Sequence, residues 1–567
     1  MSENKLIHGG DVLIKCLLKE NVKYMFGIIG GHFLPMFDAV YKWGREQGIN
    51  TVMFRHEQAA AHAADAYARV TNTPGVCFGT VGPGALHLIP GVGVAWSDNI
   101  PLVAIVPQVS NRDEFVLQGN LDQIALFKPI TKYQKTVGNI KEIPDAVYKI
   151  FREVTGGRTQ PVLLEIDEGV YYQKIKENKI SYISSDQYRA NVNPTVDHES
   201  IKKSADLLLS AKNPLIVSGG GVLRAEAWDE LQELAEYLQI PVMTSIMGIG
   251  SLSNQSHCFL GTSIGSATFQ ATTRADVILA LGTKFSHTLY LGKAPVWRDT
   301  QKMIHVDIDP SIIGRSKSIT FGIVADCKQF LRQILEEVKK TKKIETREWL
   351  ETLLAEKQKK QSIYTKKASK DDIPIVPQRL VKEVYDFMDD DAILINDGGD
   401  ITIYALEAVN MYKERKPLTT LQAVSMGHLG TSIGYGIGAK LGKPDKQVIS
   451  ISGDGSFMIN IQDLETAVRL GLKNLIFVVA NNSCWGNIKS GQKLAFGGRY
   501  IDVDFPELNY GKIAESFGCY GEEVTDPNEI NSALKRAKNS GKPAVIDVKI
   551  KFEIPDLQKL QWANVKF

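Results

Sequence analysis

The chain has 567 residues, 44% hydrophobic and 23% charged, the balance of folded globular protein and enough for three or four domains of roughly 150 residues. Its 66 Lys and Arg against 64 Asp and Glu leave a net charge of +2, which gives no pull toward nucleic acid or an anionic membrane. The apolar runs are short and interrupted, MSENKLIHGG lacks a signal-peptide core, and six scattered cysteines without a CxxC fit reduced thiols, so the expectation is a cytoplasmic protein with no membrane or nucleic-acid partner.

Strand-like runs alternate with helical ones through the first third: Tyr24–Ile29, Thr51–Phe54, Gly75–Thr80, Leu102–Val106 and Pro161–Ile166. That alternation predicts an α/β fold with a parallel sheet. FGIIGGHFLPMF (26–37) puts His32 just after a strand and a glycine pair. VMFRHEQAAAHAADAYAR (52–69) reads as a short strand and an alanine-rich helix, with Glu57 in the first helical turn. A carboxylate is favoured there by the helix dipole. His56 and His62 on that helix read as structural. The loop GPGALH (82–87) ends in His87, and FVLQGNLDQIALFKPITKY (115–133) carries Gln118.

A polar linker, Glu177–Ser200, leads into a second alternating stretch: Pro214–Val217, a helix around Trp228–Leu238, the run Ile240–Met247, then Val277–Leu281 and Ile304–Ile308. This again predicts a doubly wound domain. Gly219-x-Gly221 is followed by Arg224 where a dinucleotide fingerprint needs a third glycine. No GxxxxGK[ST] occurs, so nucleoside triphosphate binding has no support.

Lys339–Lys370 reads as surface helix and linker. Ala392–Ile395 then runs as a strand into Asn396-Asp397-Gly398-Gly399-Asp400, followed by SMGHLGTSIGYGIGAK (425–440). Val448–Ile451 is a β-branched strand broken by Gly453-Asp454-Gly455, Ile461–Leu470 has helical spacing, and Leu475–Val479 is a strand ended by Asn481-Asn482. This βαβ unit brings acidic and amide oxygens to the same sheet edge, where ligands of parallel sheets bind. A carboxylate, an amide oxygen and a backbone carbonyl supply part of an octahedral shell for a hard cation, with phosphate oxygens suited to the rest. The flanking glycines let backbone N–H groups approach a phosphate. The physical reading is a Mg²⁺-bridged diphosphate site.

GDG, 25 intervening residues (456–480) and NN resemble the thiamine diphosphate (ThDP) motif of the decarboxylase and acetolactate synthase superfamily. GDG alone is explained as well by a turn in any α/β protein; GDGS, the spacing and NN together are not. RHEQAAAHAADAYAR resembles the segment carrying the cofactor-activating glutamate of that superfamily. The resemblance implies three doubly wound parallel-sheet domains: pyrimidine-binding (1–185), central (190–345) and diphosphate-binding (370–567). It implies ThDP and Mg²⁺ as cofactors. Glu57 would hydrogen-bond the aminopyrimidine ring nitrogen and so promote loss of the thiazolium C2 proton. Leu429 would wedge between the two cofactor rings. Gly453, Asp454, Gly455, Ser456, Asn482 and Asp400 would line the diphosphate, and Asp454, Asn482 and the Cys484 carbonyl would hold Mg²⁺. Relatives of the central domain can hold FAD; FAD or an ADP or CoA moiety is admitted there, but a purely structural domain is the default. Glu57 and the GDG site belong to different subunits in that family, so a homodimer is the least functional unit and a homotetramer is expected.

The substrate signals point within the superfamily. His32 and NNSCWG resemble benzaldehyde lyase, the stretch around Gln118 resembles both benzaldehyde lyase and acetolactate synthase, and the Trp-Gln pair of acetolactate synthases is missing after the Asn pair. The neighbourhood of Ser110-Asn111-Arg112-Asp113 lacks the His-His pair of simple pyruvate decarboxylases. His87 replaces the usual asparagine of a GPGATN loop. The resulting expectation is a C–C lyase and carboligase acting on 2-hydroxy ketones and aldehydes through an enamine, with Glu57, His32, Gln118 and His87 as catalytic residues and a small carbonyl compound as substrate. The alternatives are a 2-hydroxyacyl-CoA lyase or oxalyl-CoA decarboxylase, an acetolactate synthase-like 2-oxo acid carboligase, and an FAD-dependent pyruvate oxidase. The tail Ile554–Phe567, with Leu557, Leu560, Trp562 and Phe567, reads as a lid or a docked segment.

Overall fold

The buried apolar runs become strands of three six-stranded sheets, all parallel. The structure, a computed structural model, describes residues 5–110, 118, 121–190 and 192–562, the side chains at 560–562 excepted. Asn111–Asp113, Phe567 and the side chains of Leu560 and Trp562, all singled out from the sequence, lie outside that set.

The first sheet follows an antiparallel pair made by β1 (Leu6–His8) and β8 (Lys174–Lys176). Its strands are β2 (Tyr24–Gly27), β3 (Asn50–Met53), β4 (Gly75–Phe78), β5 (Leu102–Gln108), β6 (Tyr133–Val137) and β7 (Val162–Asp167), in the order β3-β2-β4-β5-β7-β6. The second holds β9 (Pro214–Ser218), β10 (Val242–Thr244), β11 (Phe259–Thr262), β12 (Val277–Leu281), β13 (Lys302–Asp307) and β14 (Phe321–Val324), in the order β11-β10-β9-β12-β13-β14. The third holds β15 (Ile393–Asp397), β16 (Thr420–Gln422), β17 (Val448–Gly453), β18 (Leu475–Asn481), β19 (Tyr520–Val524) and β20 (Ala544–Lys549), in the order β16-β15-β17-β18-β20-β19.

Central strands such as β5 and β18 are buried along their whole length, because helices cover both faces of a parallel sheet. Each sheet has a switch point where the strand order changes direction: between β2 and β4, between β9 and β12, and between β15 and β17. Such switch points open a crevice at the carboxyl ends of the strands. The chain forms two compact units. One comprises residues 1–191, 433–445 and 460–472; the other comprises 192–432, 446–459 and 473–567. Among the described residues, no helix is long and apolar enough to cross a membrane.

Two local differences from the sequence reading matter. The helix expected over Ile461–Leu470 is a 3₁₀ turn, Ile461–Asp463, followed by Leu464–Arg469. Asp463 interrupts the helix because its carboxylate turns outward to a backbone N–H at Arg55. A one-turn helix, Asp454–Met458, also follows the glycine break directly.

Candidate active site

In the first unit, β3 ends just before the helix Glu57–Thr71. His56 is its N-cap, its Nδ1 accepting from Gln58 N–H at 3.1 Å. Burial holds the His56 imidazole below its usual pKa, with His87 adding to the effect. The preceding residue is pinned as well, since Arg55 N–H donates to Asp463 Oδ1 at 2.7 Å. Glu57 is therefore launched into the crevice from a backbone held on both sides. Glu57 as a residue is 6% exposed. Oε2 lies 3.0 Å from Nδ1 of His87, and a Cβ placed at Gly84 would stand 3.2 Å from Oε1.

His87 lies on the helix Pro83–Asp98, its ring stacked on His56 with centroids 4.5 Å apart. His32, after β2, meets Thr80 Oγ1 through Nδ1 at 3.2 Å and faces Glu168 Oε2 from Nε2 at 3.7 Å. Gln118 takes a left-handed conformation with φ 70°, its backbone carbonyl against Gly82. Its Oε1 is buried with no hydrogen-bond partner among the described residues. Gly82 N–H donates to Gln123 Oε1 at 3.1 Å, which anchors this loop to the sheet. The four catalytic candidates Glu57, His32, Gln118 and His87 thus gather on one rim, with Thr80, Gly82 and Gly84 between them.

In the second unit, the register Gly453↔Ala480 sets the ends of β17 and β18 side by side. Asp454 Oδ1 accepts from Gly455 N–H at 2.8 Å, whereas Oδ2 is buried without a hydrogen-bond partner among the described residues. Burial lifts this carboxyl to about 6. An uncompensated buried carboxylate oxygen calls for a cation. Asn481 is already committed, donating to Leu508 O and Asp547 Oδ1 and accepting from Ser483 N–H. Asn482 is left to face outward; its Oδ1 accepts from Cys484 N–H at 3.3 Å. The Cys484 carbonyl accepts from Gly486 N–H at 2.9 Å, leaving one lone pair for a ligand role. Its thiol is pushed up to about 12 by burial, consistent with an unreactive sulfur. Carboxylate, amide and carbonyl oxygens form a hard donor set that fits Mg²⁺. The nearest heavy atom to a Cβ at Gly453 would be Ile401 Cγ2 at 3.9 Å, which leaves the cradle open for a diphosphate.

Two positions beside the GDG turn are committed to packing within the fold. Ser456 does not offer its hydroxyl outward: it donates to Asp397 Oδ1 at 2.5 Å and accepts from Gly430 N–H at 2.9 Å. Its side chain instead holds the loop of Leu429, which is half-buried. At Gly455 a Cβ would come within 2.7 Å of the Trp485 ring, so only a glycine fits there. Asp400, at the start of the helix Asp400–Val409, is held by Gln558 and by Ser490, and burial lifts it to about 7. It closes on the edge of the site, since a Cβ at Gly486 would be 3.0 Å from Asp400 Oδ2 and 3.3 Å from Asn482 Nδ2. Through Gln558 the tail helix Asp556–Trp562 is docked on the same carboxylate.

Sequence reading missed Thr80, Glu168, Asp397 and Asp463. Each acts by touching a residue far along the chain, and only Asp397, inside the NDGGD turn, carried a local signal. In the central sheet, Cβ atoms at Gly219 and Gly221 would collide with Gly282 at 2.1 and 2.6 Å, so these glycines serve loop packing at the switch point.

The thiamine pyrophosphate enzyme family matches in three parts: its N-terminal TPP binding domain over residues 7–126, its central domain over 201–334, and its C-terminal TPP binding domain over 397–548. The chain is similar to a probable acetolactate synthase large subunit of Methanococcus aeolicus, 35% identical over 96% of this chain and 92% of that protein. A probable acetolactate synthase large subunit of Methanocaldococcus jannaschii is 34% identical over 96% and 92% of the two chains. The acetolactate synthase large subunit of Cyanidium caldarium is 31% identical over 96% and 94%.

Proposed function

The chain belongs to the thiamine pyrophosphate enzymes, and on that premise we propose that it is a ThDP- and Mg²⁺-dependent 2-oxo acid carboligase of the acetolactate synthase type. The observation that carries this reading is the similarity to acetolactate synthase large subunits along 96% of the chain. It displaces benzaldehyde lyase as the first expectation from the site motifs. Those motifs cover a few short segments, whereas the similarity extends through all three domains.

ThDP, when bound, supplies a nucleophilic thiazolium carbon that takes over the difficult carbon–carbon chemistry. The chain's own residues bind, orient and move protons. Asp454 Oδ2 and Asn482 Oδ1 would hold Mg²⁺, with the Cys484 carbonyl as the backbone donor. Glu57, buried against Gly84, would exchange a proton at the aminopyrimidine ring nitrogen through Oε1. Leu429 would fill volume beneath the rings and exclude water. Its loop is held for this by Ser456 and Asp397. His32, steadied by Thr80 and Glu168, would move a proton at the substrate oxygen. Gln118 would meet a substrate hydroxyl or carboxylate with its amide.

The donor and the acceptor would both be 2-oxo acids: two pyruvates give 2-acetolactate and CO₂. A second reading, an acyloin lyase, is favoured by His32 at the rim and by the missing Trp-Gln pair. A product screen with ThDP, Mg²⁺ and panels of 2-oxo acids, 2-hydroxy ketones and acyl-CoA esters separates them. Acetolactate formation with CO₂ release supports the proposal. Cleavage of 2-hydroxy ketones without carboligation of pyruvate overturns it in favour of the second reading. Turnover confined to acyl-CoA esters, or a flavin spectrum with pyruvate-driven peroxide, moves the chain to another branch of the family. A His32→Ala variant that kept full turnover would remove the assigned proton role.

A further inference from the structure

We propose that His87 is a positioning residue for Glu57, acting through the hydrogen bond from its Nδ1 to Oε2. The inference rests on the reading of Glu57 as the group that meets the cofactor's aminopyrimidine.

The geometry assigns different tasks to the two oxygens of Glu57. Oε2 is 3.0 Å from His87 Nδ1. With Glu57 ionised, both its oxygens accept only, so His87 Nδ1 must carry the proton. Oε1 lies on the side of Gly84, beside the Thr80 methyl; a Cβ at Gly84 would stand 3.2 Å from it. One oxygen is held and the other is left for the ligand. A glutamate has three side-chain torsions, and a charge-assisted hydrogen bond at one oxygen removes much of that freedom before the ligand arrives.

His87 is itself held. Its ring stacks on His56 at 4.5 Å with an interplanar angle of 30°. His56 cannot take the same role through Nδ1, because that nitrogen accepts from Gln58 N–H and caps the helix. One polar atom from each of His56, Glu57 and His87 lies within 4.8 Å of the others. Within this trio the direct contact is the one between His87 and Glu57. His87 is also half-exposed, with 49% of its side chain open, so it bonds the buried carboxylate at a small desolvation cost of its own.

The loop reads GPGALH, with His87 at its end. Nδ1 of histidine and Nδ2 of asparagine are the same number of bonds from the backbone. An amide at this position can therefore offer an N–H to the same carboxylate oxygen.

The test compares wild type, His87→Ala, His87→Asn and Glu57→Gln with ThDP and Mg²⁺ in the absence of substrate. Two quantities are read: ThDP affinity from tryptophan fluorescence, and exchange of the bound cofactor's C2 proton for deuterium, sampled by acid quench and proton NMR. We expect His87→Ala to slow exchange by about ten- to a hundredfold while changing ThDP affinity by no more than about threefold, the pattern of a lost orientation. His87→Asn restores exchange. Exchange in His87→Ala at the wild-type rate overturns the proposal, and so does a His87→Asn variant as slow as His87→Ala. If Glu57→Gln exchanges like wild type, the reading of Glu57 itself fails and the proposal falls with it, an outcome distinct from a failure at His87 alone.

Discussion

Ser456 and Asp397 hold each other across the carboxyl ends of two adjacent parallel strands, the serine hydroxyl donating to Oδ1 at 2.5 Å. Gly430 N–H donates to both, and Ser432 N–H reaches Asp397 Oδ2 at 2.8 Å. Leu429 is thus presented by a loop tied to the carboxyl ends of β15 and β17, the latter carrying the metal candidate Asp454. Ser456→Ala removes the shortest of these bonds and leaves a buried carboxylate under-satisfied. The expected cost is about 1–3 kcal/mol of stability, together with weaker ThDP binding. Denaturant unfolding with and without cofactor measures both.

Asp454 has one carboxylate oxygen buried without a hydrogen bond among the described residues, and burial lifts the group to about 6. In the metal-free protein, Asp454→Asn is expected to leave stability unchanged or slightly higher, because an unpaired buried charge is removed. With Mg²⁺ and ThDP the order reverses. The wild type gains about 2.7 kcal/mol at ligand concentrations a hundred times Kd, and the variant does not. Thermal melts before and after chelation with EDTA check both halves.

Asp463 accepts from Arg55 N–H and from Thr466 Oγ1 through one oxygen, while Oδ2 is buried without a partner among the described residues. Burial raises its pKa from 3.8 to about 6. The folded state therefore holds this proton over a range where the unfolded chain has lost it. Its contribution to stability is full below pH 3.8 and is lost as the pH rises through about 6. Asp463→Asn keeps the accepting oxygen and removes the titration. The variant is expected to match or exceed the wild type above pH 6 and to flatten the decline between the two values. Melting temperatures across that window decide it.

Arg69 is buried between Asp65 and Asp98, with bonds of 2.8 and 3.0 Å to the first and 2.9 Å to the second. Tyr435 adds a hydroxyl to Asp65 at 2.7 Å. Arg69→Ala strands two buried carboxylates and is expected to cost about 3–5 kcal/mol. Tyr435→Phe removes a single bond to a charged acceptor and should cost about 1.5–3 kcal/mol. Equilibrium unfolding of the two variants gives the ranking, with the arginine change the larger.

Much of the fold was legible because the runs that form β5, β9, β12 and β18 are continuous and apolar, a pattern that needs no tertiary information. The GDG and NN ends were legible for the same reason: β17 and β18 are neighbours in sequence and in space. The helix break at Asp463 was not, because Asp463 bonds Arg55 across about four hundred residues of chain. The direction of the Ser456 hydroxyl was not legible, because its motif records proximity to a diphosphate and not where a side chain points. His87 stood out as a departure from its loop pattern, yet its partner was invisible. Glu57 and His87 lie thirty residues apart, on different helices, and only packing of those helices sets the distance.

By itself, the sequence determined the fold class and the cofactor. Both are written in local patterns: strand and helix periodicities, and a single βαβ unit whose spacing is set by the lengths of its elements. Only the tertiary structure decided which atoms remain available at the rim. Asn481 is spent on Asp547 and Leu508, which leaves Asn482 as the metal candidate of the pair, and His87 takes Oε2 of Glu57 while Oε1 turns toward Gly84. Those are questions of which hydrogen bonds are already made, and they are settled by segments that meet only when the chain is folded.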